Sequence, residues 1–512
     1  LPTAQKDLLA SYAPDGVIRD FAATLSDVDT ESPRFDVAAD FLDVGFAAVA
    51  DRPGVRGFSG RLRADSSGGR LEIDSSGLTL NVPKFLGIPA ILDEASGTLI
   101  WRRSGDRTTV LSDSIALRNA DFQIETNVEV SLVDGSKAPV VDVATTFSIS
   151  DLSVAKRYIP FIPRIPKTSE WFQNGLLAGR IPRGTSSLYG PLDKWPFVTD
   201  EGRLLIESNI QDARVLYQPR WPVAEVIDMD VVVENTRLYS ERNYIINTGN
   251  AVTNAKVEIS DLRKPILNVT AYSTGTLDAV RRLMANSPIG TDVFNGNLER
   301  IAVTGDGSFD LDLMIPIKNI KAFEFTSRLQ TSNGSLRLEG FPAPITDLSG
   351  VITVQRENIS SESLGGIFLG QPVAIELLPA PESMPEYRVI ANAAGTATAS
   401  GMTNELGLPL DGMIAGKTDY TARLLFPRGK VETPQPFAIE LDTDLSGLAF
   451  ELPAPLNKSP AAAIPLAARI ELPTGEDVIE STGLAEDLLS WRVSFSKAEG
   501  AWDLDRGVVT LG

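Results

Sequence analysis

The sequence predicts a mainly β protein with a long, highly twisted antiparallel sheet, one apolar sheet face and a few short amphipathic helices. Three observations support this fold class. Apolar and polar residues alternate with a period of two along most of the 512 residues. The alternating runs are short and end at clusters of Gly, Pro, Asp and Ser. Helical spacing is clear at only two internal places, so helices are minor elements.

Residues 1–163 are predicted to form a first sheet segment. Residues 1–32 lead into it, with a short helical pattern over Thr3–Ala13. Alternation begins at Phe35 and continues through runs such as residues 128–132, in which every second residue is Val or Leu. One face of this segment is therefore expected to be apolar and the other polar.

Two stretches predict short helices, one in a helix-containing insertion at residues 164–201 and one at residues 277–290. In the first, Thr168 or Ser169 can cap a helix that ends at Gly179, and four apolar residues follow at helical spacing: Trp171, Phe172, Leu176 and Leu177. The second covers residues 277–286 before Pro288, with Val280, Leu283 and Met284 on one side. Both helices are expected to pack on the sheet, and capping or gating a cavity is the alternative.

The strands of residues 202–276 and of residues 291–512 show the clearest alternation. Alternation of this kind is typical of an antiparallel sheet with one solvated face. A turn at residues 218–222 is predicted to join two strands of the central segment. The predicted apolar-face residues are Leu204, Ile206, Ile227, Met229, Val231, Val233, Phe309, Leu311, Leu313, Ile315, Phe323, Phe325, Ile439 and Leu441.

Weak internal repetition favours one continuous body over residues 1–512 instead of several separate domains. The pentapeptide Thr-Asp-Leu-Ser-Gly occurs at residues 346–350 and again at residues 443–447, each time ahead of an apolar strand.

Composition excludes several classes of function. The chain has no cysteine and no histidine, which removes disulfides, thiolate nucleophiles, Cys/His zinc sites and imidazole acid–base chemistry. We predict no catalytic residue, no metal site and no cofactor. The net charge of −20 argues against nucleic acid and against a flat contact with anionic lipid. Asp310 and Asp312 lie on the polar parity, so a solvated surface is favoured over a hydrolase acting on envelope polysaccharide.

No stretch has the length of an apolar membrane-spanning helix, and the sequence begins at Leu1 instead of Met. We expect a processed product or a piece of a longer polypeptide. The apolar sheet face can close against a second sheet, which physical reasoning alone favours, or curl into an open groove. Periodicity does not separate these two arrangements.

Several short motifs, in a fixed order between about residues 35 and 458, carry a family resemblance. They are GTLIW at residues 97–101, WFQNGLLAG at 171–179, GPLDKWPF at 190–197, LYQPRWP at 216–222, SP at 287–288, IP at 315–316 and DLSGLAFELPAPLNK at 444–458. With these motifs the sequence resembles the AsmA-like envelope proteins, most closely their YhdP branch.

The resemblance implies an elongated, taco-like open β groove and a non-enzymatic, passive role. It implies the periplasmic region of a protein anchored in the inner membrane, with the anchor outside this sequence. The implied partners are phospholipids, carried between the inner and outer membranes, and the apolar residues named above would line the groove. The alternative is a structural or assembly protein of the envelope that has closed β cores and acts by surface contacts.

Overall fold

The structure is a computed structural model. It describes the chain except residues 1–9, 28–33, 51, 84–85, 159–172, 217–219, 248–249, 253, 289, 292–293, 295, 340, 342, 356–357, 408–409, 429–434, 473–477, 499–500 and 512.

The described chain is mostly β-strand, as the sequence predicts. The strands are β1 (Asp15–Ser26), β2 (Arg34–Phe46), β3 (Gly54–Asp65), β4 (Gly68–Asn81), β5 (Ala90–Ser104), β6 (Arg107–Arg118), β7 (Phe122–Val133), β8 (Val140–Ile149), β9 (Leu176–Pro191), β10 (Arg203–Val215), β11 (Ala224–Glu234), β12 (Arg237–Ser240), β13 (Asn243–Asn247), β14 (Asn250–Val252), β15 (Lys256–Ile259), β16 (Ile266–Thr276), β17 (Ile301–Thr304), β18 (Asp306–Pro316), β19 (Glu324–Leu338), β20 (Ile345–Gln355), β21 (Asn358–Phe368), β22 (Gln371–Pro379), β23 (Tyr387–Thr398), β24 (Ile414–Pro427), β25 (Phe437–Thr443), β26 (Leu448–Phe450), β27 (Leu466–Leu472), β28 (Val478–Ala485), β29 (Leu489–Ala498) and β30 (Ala501–Leu511).

Helices are few and short. The α-helices are α1 (Leu152–Ala155), α2 (Leu277–Ala285) and α3 (Ala399–Glu405). Single 3-10 turns occupy Lys156–Tyr158, Leu192–Lys194, Asn297–Arg300 and Ile317–Ala322. In the described part of the chain, no helix has the length and apolarity that a membrane crossing requires.

The strands form a single 30-stranded antiparallel sheet. Most strands pair with the strand before and the strand after them in the sequence. In the central region two short strands, β12 and β13, both pair with β11. Two others, β14 and β15, both pair with β16. β1 pairs with β2 and β30 with β29, so the sheet is not closed into a barrel. The predicted fold class is thereby confirmed.

Bulges interrupt the strand register at several places along the sheet. The strand register shifts near Asp43, Asp212 and Ser363, whose φ angles of 52°, 53° and 50° fall in the left-handed region. A bulge inserts an unpaired residue, bends its strand and increases the local twist. Because such shifts recur along the sheet, we attribute the curling of the sheet to them.

The strand ends form two rims of the sheet. One rim, the hairpin rim, carries tight connections such as residues 66–67, 105–106 and 235–236. The other rim, the insertion rim, carries the long connections, and α1, α2 and α3 all begin there, after β8, β16 and β23. The three named α-helices therefore lie at the insertion rim, while the 3-10 turns Leu192–Lys194 and Ile317–Ala322 lie at the hairpin rim.

Each α-helix is capped by the residue that ends the preceding segment. Thr276 Oγ1 accepts a hydrogen bond from the Ala279 backbone N at 3.2 Å, and Thr398 Oγ1 accepts one from Gly401 N at 3.0 Å. Asp151 caps α1 in the same way, at 2.8 Å from Ser153 N. Side-chain oxygens at this position satisfy N–H groups that have no partner within the helix.

The helix predicted over residues 277–286 is confirmed at Leu277–Ala285. The helix predicted to end at Gly179 is present at residues 173–175 and is wrong beyond them, because β9 begins at Leu176. Residues 168–172 of that prediction lie outside the described residues, as does the Thr3–Ala13 pattern up to residue 9. Leu176 pairs with Val215 of β10, so backbone pairing with a neighbouring strand prevails over helical spacing at this position.

Candidate functional site

One face of the sheet is apolar in unbroken rows of cross-strand neighbours. Residues paired across adjacent strands point to the same face and contact each other. In the last third of the chain one such row crosses nine strands: Leu364, Ile375, Ala393, Ala422, Leu441, Ala468, Gly483, Trp491 and Val509. This side of the sheet is the groove face.

The groove face extends to the other end of the sheet. A matching row of nine strands in the first third is Ala23, Val37, Ala64, Gly69, Trp101, Val110, Val130, Val141 and Gly190. Shorter rows connect the two, including Leu188 with Leu204, Ile206 with Val233 and Leu238, and Val269 with Leu313 and Phe325. Apolar surface therefore runs from β1 to β30.

The opposite face carries cross-strand rows of arginine and carboxylate. Arg423, Glu440 and Arg469 are direct neighbours on three strands, with ion-pair distances of 2.6 Å from Glu440 to each arginine. Asp40, Arg61 and Glu72 form a similar row near the other end, at 3.3 and 3.5 Å. Ion pairs that water still reaches contribute little stability each, and they fix which face stays in water.

The predicted groove residues lie on the groove face, and most of them are only half-buried. This state is shared by Leu204, Ile206, Met229, Val231, Val233, Phe309, Leu311, Leu313, Ile315, Phe323, Phe325 and Leu441. Ile227 and Ile439 differ because they are 6% and 7% exposed and lie in packed clusters. Half-buried apolar side chains on an open sheet leave contact area for a ligand.

The structure brings some predicted residues together and keeps others apart. Ile206 faces Val233, Leu313 faces Phe325, and the Phe323 and Phe325 rings stack with centroids 6.0 Å apart. The groups near residues 204–233, 309–325 and 439–441 lie on separate strands of the same face. They form successive stretches of one surface instead of a single pocket.

Sequence reasoning missed a set of aromatic residues that lie across glycines on the groove face. A Cβ atom at Gly69 would overlap the Trp101 ring, and one at Gly483 would overlap the Trp491 ring. Phe147 lies across Gly184 in the same way. A glycine inside an alternating strand signals a close approach of this kind, and that signal was available in the sequence.

Several polar positions of the groove face carry neutral side chains. Tyr420 faces Gly395 on this face, and burial raises the pKa of its phenol to about 12. The hydroxyl therefore keeps its proton throughout the physiological pH range. Small hydroxyl residues such as Thr126 and Thr145 bond to each other at 2.8 Å. Apolar chains would thus meet no charge at these three residues.

The acidic pair Asp310 and Asp312 is exposed on the opposite face, as predicted. With Thr326 and Arg328 it borders a shallow cavity of about 310 Å³. Among the described residues, no group of three or more acidic side chains is placed to hold a metal ion.

Comparison with known proteins supports the expected resemblance. A family model described as YhdP protein matches residues 1–512. The chain is 22% identical over 501 residues to the intermembrane phospholipid transporter YhdP of Escherichia coli strain K12, an alignment that covers 95% of this chain and 38% of the relative. The chain thus spans little more than a third of that protein. No solved structure matches the chain. Because the family model matches the whole chain, the chain belongs to the YhdP family.

Proposed function

We propose that this chain is a segment of a conduit in which the groove face binds phospholipid acyl chains and carries phospholipids between the inner and outer membranes. The observation that carries the proposal is the apolar face that runs from β1 to β30 on a sheet that stays open. An open apolar face can shelter acyl chains while the polar headgroup remains in water.

The energy of acyl chain hydration explains why such a surface is sufficient. Exposing two chains of ~15 carbons to water costs about 0.8 kcal/mol per methylene, on the order of 20 kcal/mol in total. A continuous apolar lining removes most of this barrier at every point along the path. Movement along the groove is passive in this proposal, and any direction of net flow is set at the ends of the full-length protein.

The name of the relative also supports the proposal, because it describes a transporter of phospholipid between membranes. The chain corresponds to 38% of that relative. We therefore place the described sheet in the periplasm, between membrane-contacting parts that lie outside this sequence. An anchor in the inner membrane belongs to the same proposal.

Site-specific photo-crosslinking tests whether lipid lies on the groove face. Leu311 and Asp310 are adjacent on β18 and point to opposite faces, so they form a matched pair. After expression in a Gram-negative host, a photoreactive residue at Leu311 should yield phospholipid adducts by mass spectrometry. The same residue at Asp310 should yield few. Equal yields at both positions would refute binding on the groove face.

A double substitution tests whether the face must remain apolar. In Leu311→Asp with Phe325→Glu, each carboxylate keeps its water, and ~4 methylenes opposite each strand lose shielding worth about 3 kcal/mol. Because two strands are affected, we expect co-purified phospholipid to fall by at least 100-fold. Asp310→Asn with Asp312→Asn is the control on the opposite face. Loss of function from the control alone would favour a structural protein that acts by surface contacts.

A further inference from the structure

The connection between β16 and β17 crosses the groove instead of following the rim. It consists of α2, a turn with Phe294 and the 3-10 turn Asn297–Arg300; its described residues are called the plug. The plug leaves the insertion rim after Thr276 and returns to it at β17, which pairs with the last residues of β19.

The near side of the plug is fitted closely to the groove face. Leu277 lies over two glycines of that face, and a Cβ atom would be 3.0 Å from its Cδ2 at Gly307 and 2.8 Å from its Cδ1 at Gly334. Both distances are shorter than an ordinary van der Waals contact. The two glycines therefore allow α2 to lie directly on the sheet.

The far side of the plug reaches residues of the hairpin rim. The Phe294 ring centroid is 5.7 Å from that of Phe426, which lies one residue before the end of β24 and contacts Phe437 at the start of β25. Arg300 Nη1 donates a hydrogen bond to the carbonyl oxygen of Leu472 at 3.3 Å, across 172 positions of the sequence. The plug therefore spans the groove from one rim to the other.

The groove wall beneath the plug is fully covered. Val389, Phe437 and Leu472 are 0%, 1% and 2% exposed, and they share one packed cluster with Phe294 and Leu298 of the plug. The predicted groove residues upstream are half-buried, apart from Ile227. Side chains of the plug thus cover, at this sector, apolar surface of the kind that is only half-buried at most of the predicted groove residues.

Directional bonds hold the plug together as a unit. Asp278 pairs with Arg281 at 2.8 Å, and Arg281 Nη1 donates to the carbonyl oxygen of Leu298 at 3.3 Å. Asn297 Nδ2 donates to the carbonyl oxygen of Phe294 at 3.0 Å. The contacts of Phe294 and Leu298 with the wall are apolar, and apolar contacts have no directional requirement. A hydrocarbon chain can replace these apolar contacts against the wall, while displacement of the plug also breaks the hydrogen bond from Arg300 to the Leu472 carbonyl oxygen.

We propose that the plug is an internal gate of the groove, which seals the sector between β19 and β28 and is displaced when phospholipid acyl chains occupy that sector. The proposal rests on the function proposed above and adds its regulation. In the closed state Phe294 and Leu298 take the place of acyl chains. Passage of lipid then depends on the balance between these two occupants of the same wall.

Two reporter positions separate this proposal from the function on which it rests. A small alkyl-diazirine residue at Ile206 reports lipid on the open part of the groove, and one at Ile439 reports lipid beneath the plug. Purified chain is incubated with vesicles of phosphatidylcholine, a lipid without net charge, then irradiated and examined by mass spectrometry. We expect lipid adducts at Ile206 and few at Ile439. Absence of adducts at Ile206 would overturn the proposed function itself.

Weakening the plug should open the covered wall. In Phe294→Ala with Leu298→Ala, we expect the adduct yield at Ile439 to rise about tenfold or more, because the closed state loses two buried apolar side chains. The yield at Ile206 should stay unchanged. Leu425→Ala is the control, since Leu425 is equally buried in the neighbouring strand but packs on the opposite face. An unchanged yield at Ile439 would overturn the gate.

Locking the plug gives a second measurement that keeps Phe294 and Leu298 intact. The chain has no native cysteine, so Arg300→Cys with Leu472→Cys can be bridged by a short, cleavable bis-maleimide that spans the length of the arginine side chain. In a chain with the reporter at Ile439, bridging should abolish the remaining adducts and cleavage should restore them. Adducts that persist at Ile439 in the bridged chain would refute displacement of the plug.

Discussion

Truncation of one buried ring should weaken the sheet locally instead of unfolding it as a whole. Phe437 is 1% exposed at the start of β25, and its ring lies 5.0 Å from the ring of Phe426. Its backbone partner Leu472 is also buried. In Phe437→Ala the ring leaves a cavity that these neighbours, fixed in the ladder, fill only in part.

We expect a loss of local stability of ~4 kcal/mol, which is within the range for Phe→Ala in a packed core. This value corresponds to an increase in amide exchange of roughly a thousandfold for segments that open together. Most strands of the sheet contact only their sequence neighbours, so stability is close to a sum of neighbour terms, as in repeat proteins. The faster exchange should therefore be confined to β23–β28 and the plug.

Hydrogen exchange followed by mass spectrometry measures this directly, peptide by peptide. Phe35→Ala is the matched control, because it removes the same ring from a position that is 43% exposed and should change exchange little. Two results would contradict the reasoning. One is faster exchange in β3–β8 equal to that in β23–β28, which would mean that the sheet unfolds as one unit. The other is an increase below about tenfold in β23–β28.

Three further perturbations have defined outcomes. Gly334→Val should lift α2 from the sheet, because a Cβ at this position lies 2.8 Å from a methyl group of the helix. We expect the substitution to destabilise this contact by ~1–3 kcal/mol, and faster amide exchange in Leu277–Ala285 would show it. The pKa of Asp261 is lowered to about 2, mainly because its carboxylate accepts hydrogen bonds from Arg263. Since this pKa lies below the usual 3.8, the contribution of the Asp261–Arg263 interaction to stability is fully present above pH 3.8. It disappears as the pH falls through about 2. Arg263→Ala should return the pKa toward 3.8 in an NMR titration, and an unchanged pKa would contradict the assigned cause. Lys458→Ala should cost ~2–4 kcal/mol in the surrounding loop, because Nζ donates to two backbone carbonyls at 2.9 and 3.2 Å that would lose their partner; unchanged exchange in residues 448–459 would show that water replaces the amine.

Much of the fold follows from local pattern. The alternation of residues 203–234 predicts two antiparallel strands, and the structure pairs Ile206 with Val233 as that pattern requires. The helix at Leu277–Ala285 follows from its cap and its spacing. In each case the local preference and the tertiary environment agree, which is why sequence reasoning is sufficient.

The misjudged start of β9 shows where local pattern fails. Leu176 and Leu177 have helical spacing with the residues before them, yet they continue the ladder with β10. A strand can be stabilised by a partner far along the sequence, and a window of ten residues does not contain that partner. For the same reason, a local window of sequence does not predict the contact between Arg300 and Leu472.

The sequence by itself determined which side chains share a face. The period of two assigned Leu311 and Phe325 to the apolar side and Asp310 to the polar side, because successive side chains of a strand alternate. Only the tertiary structure decided that most of the predicted residues of this face stay half-buried and that the plug covers the face between β19 and β28. The physical reason is that alternation determines the direction of a side chain, while its covering depends on bulges, strand curvature and insertions that bring distant residues together.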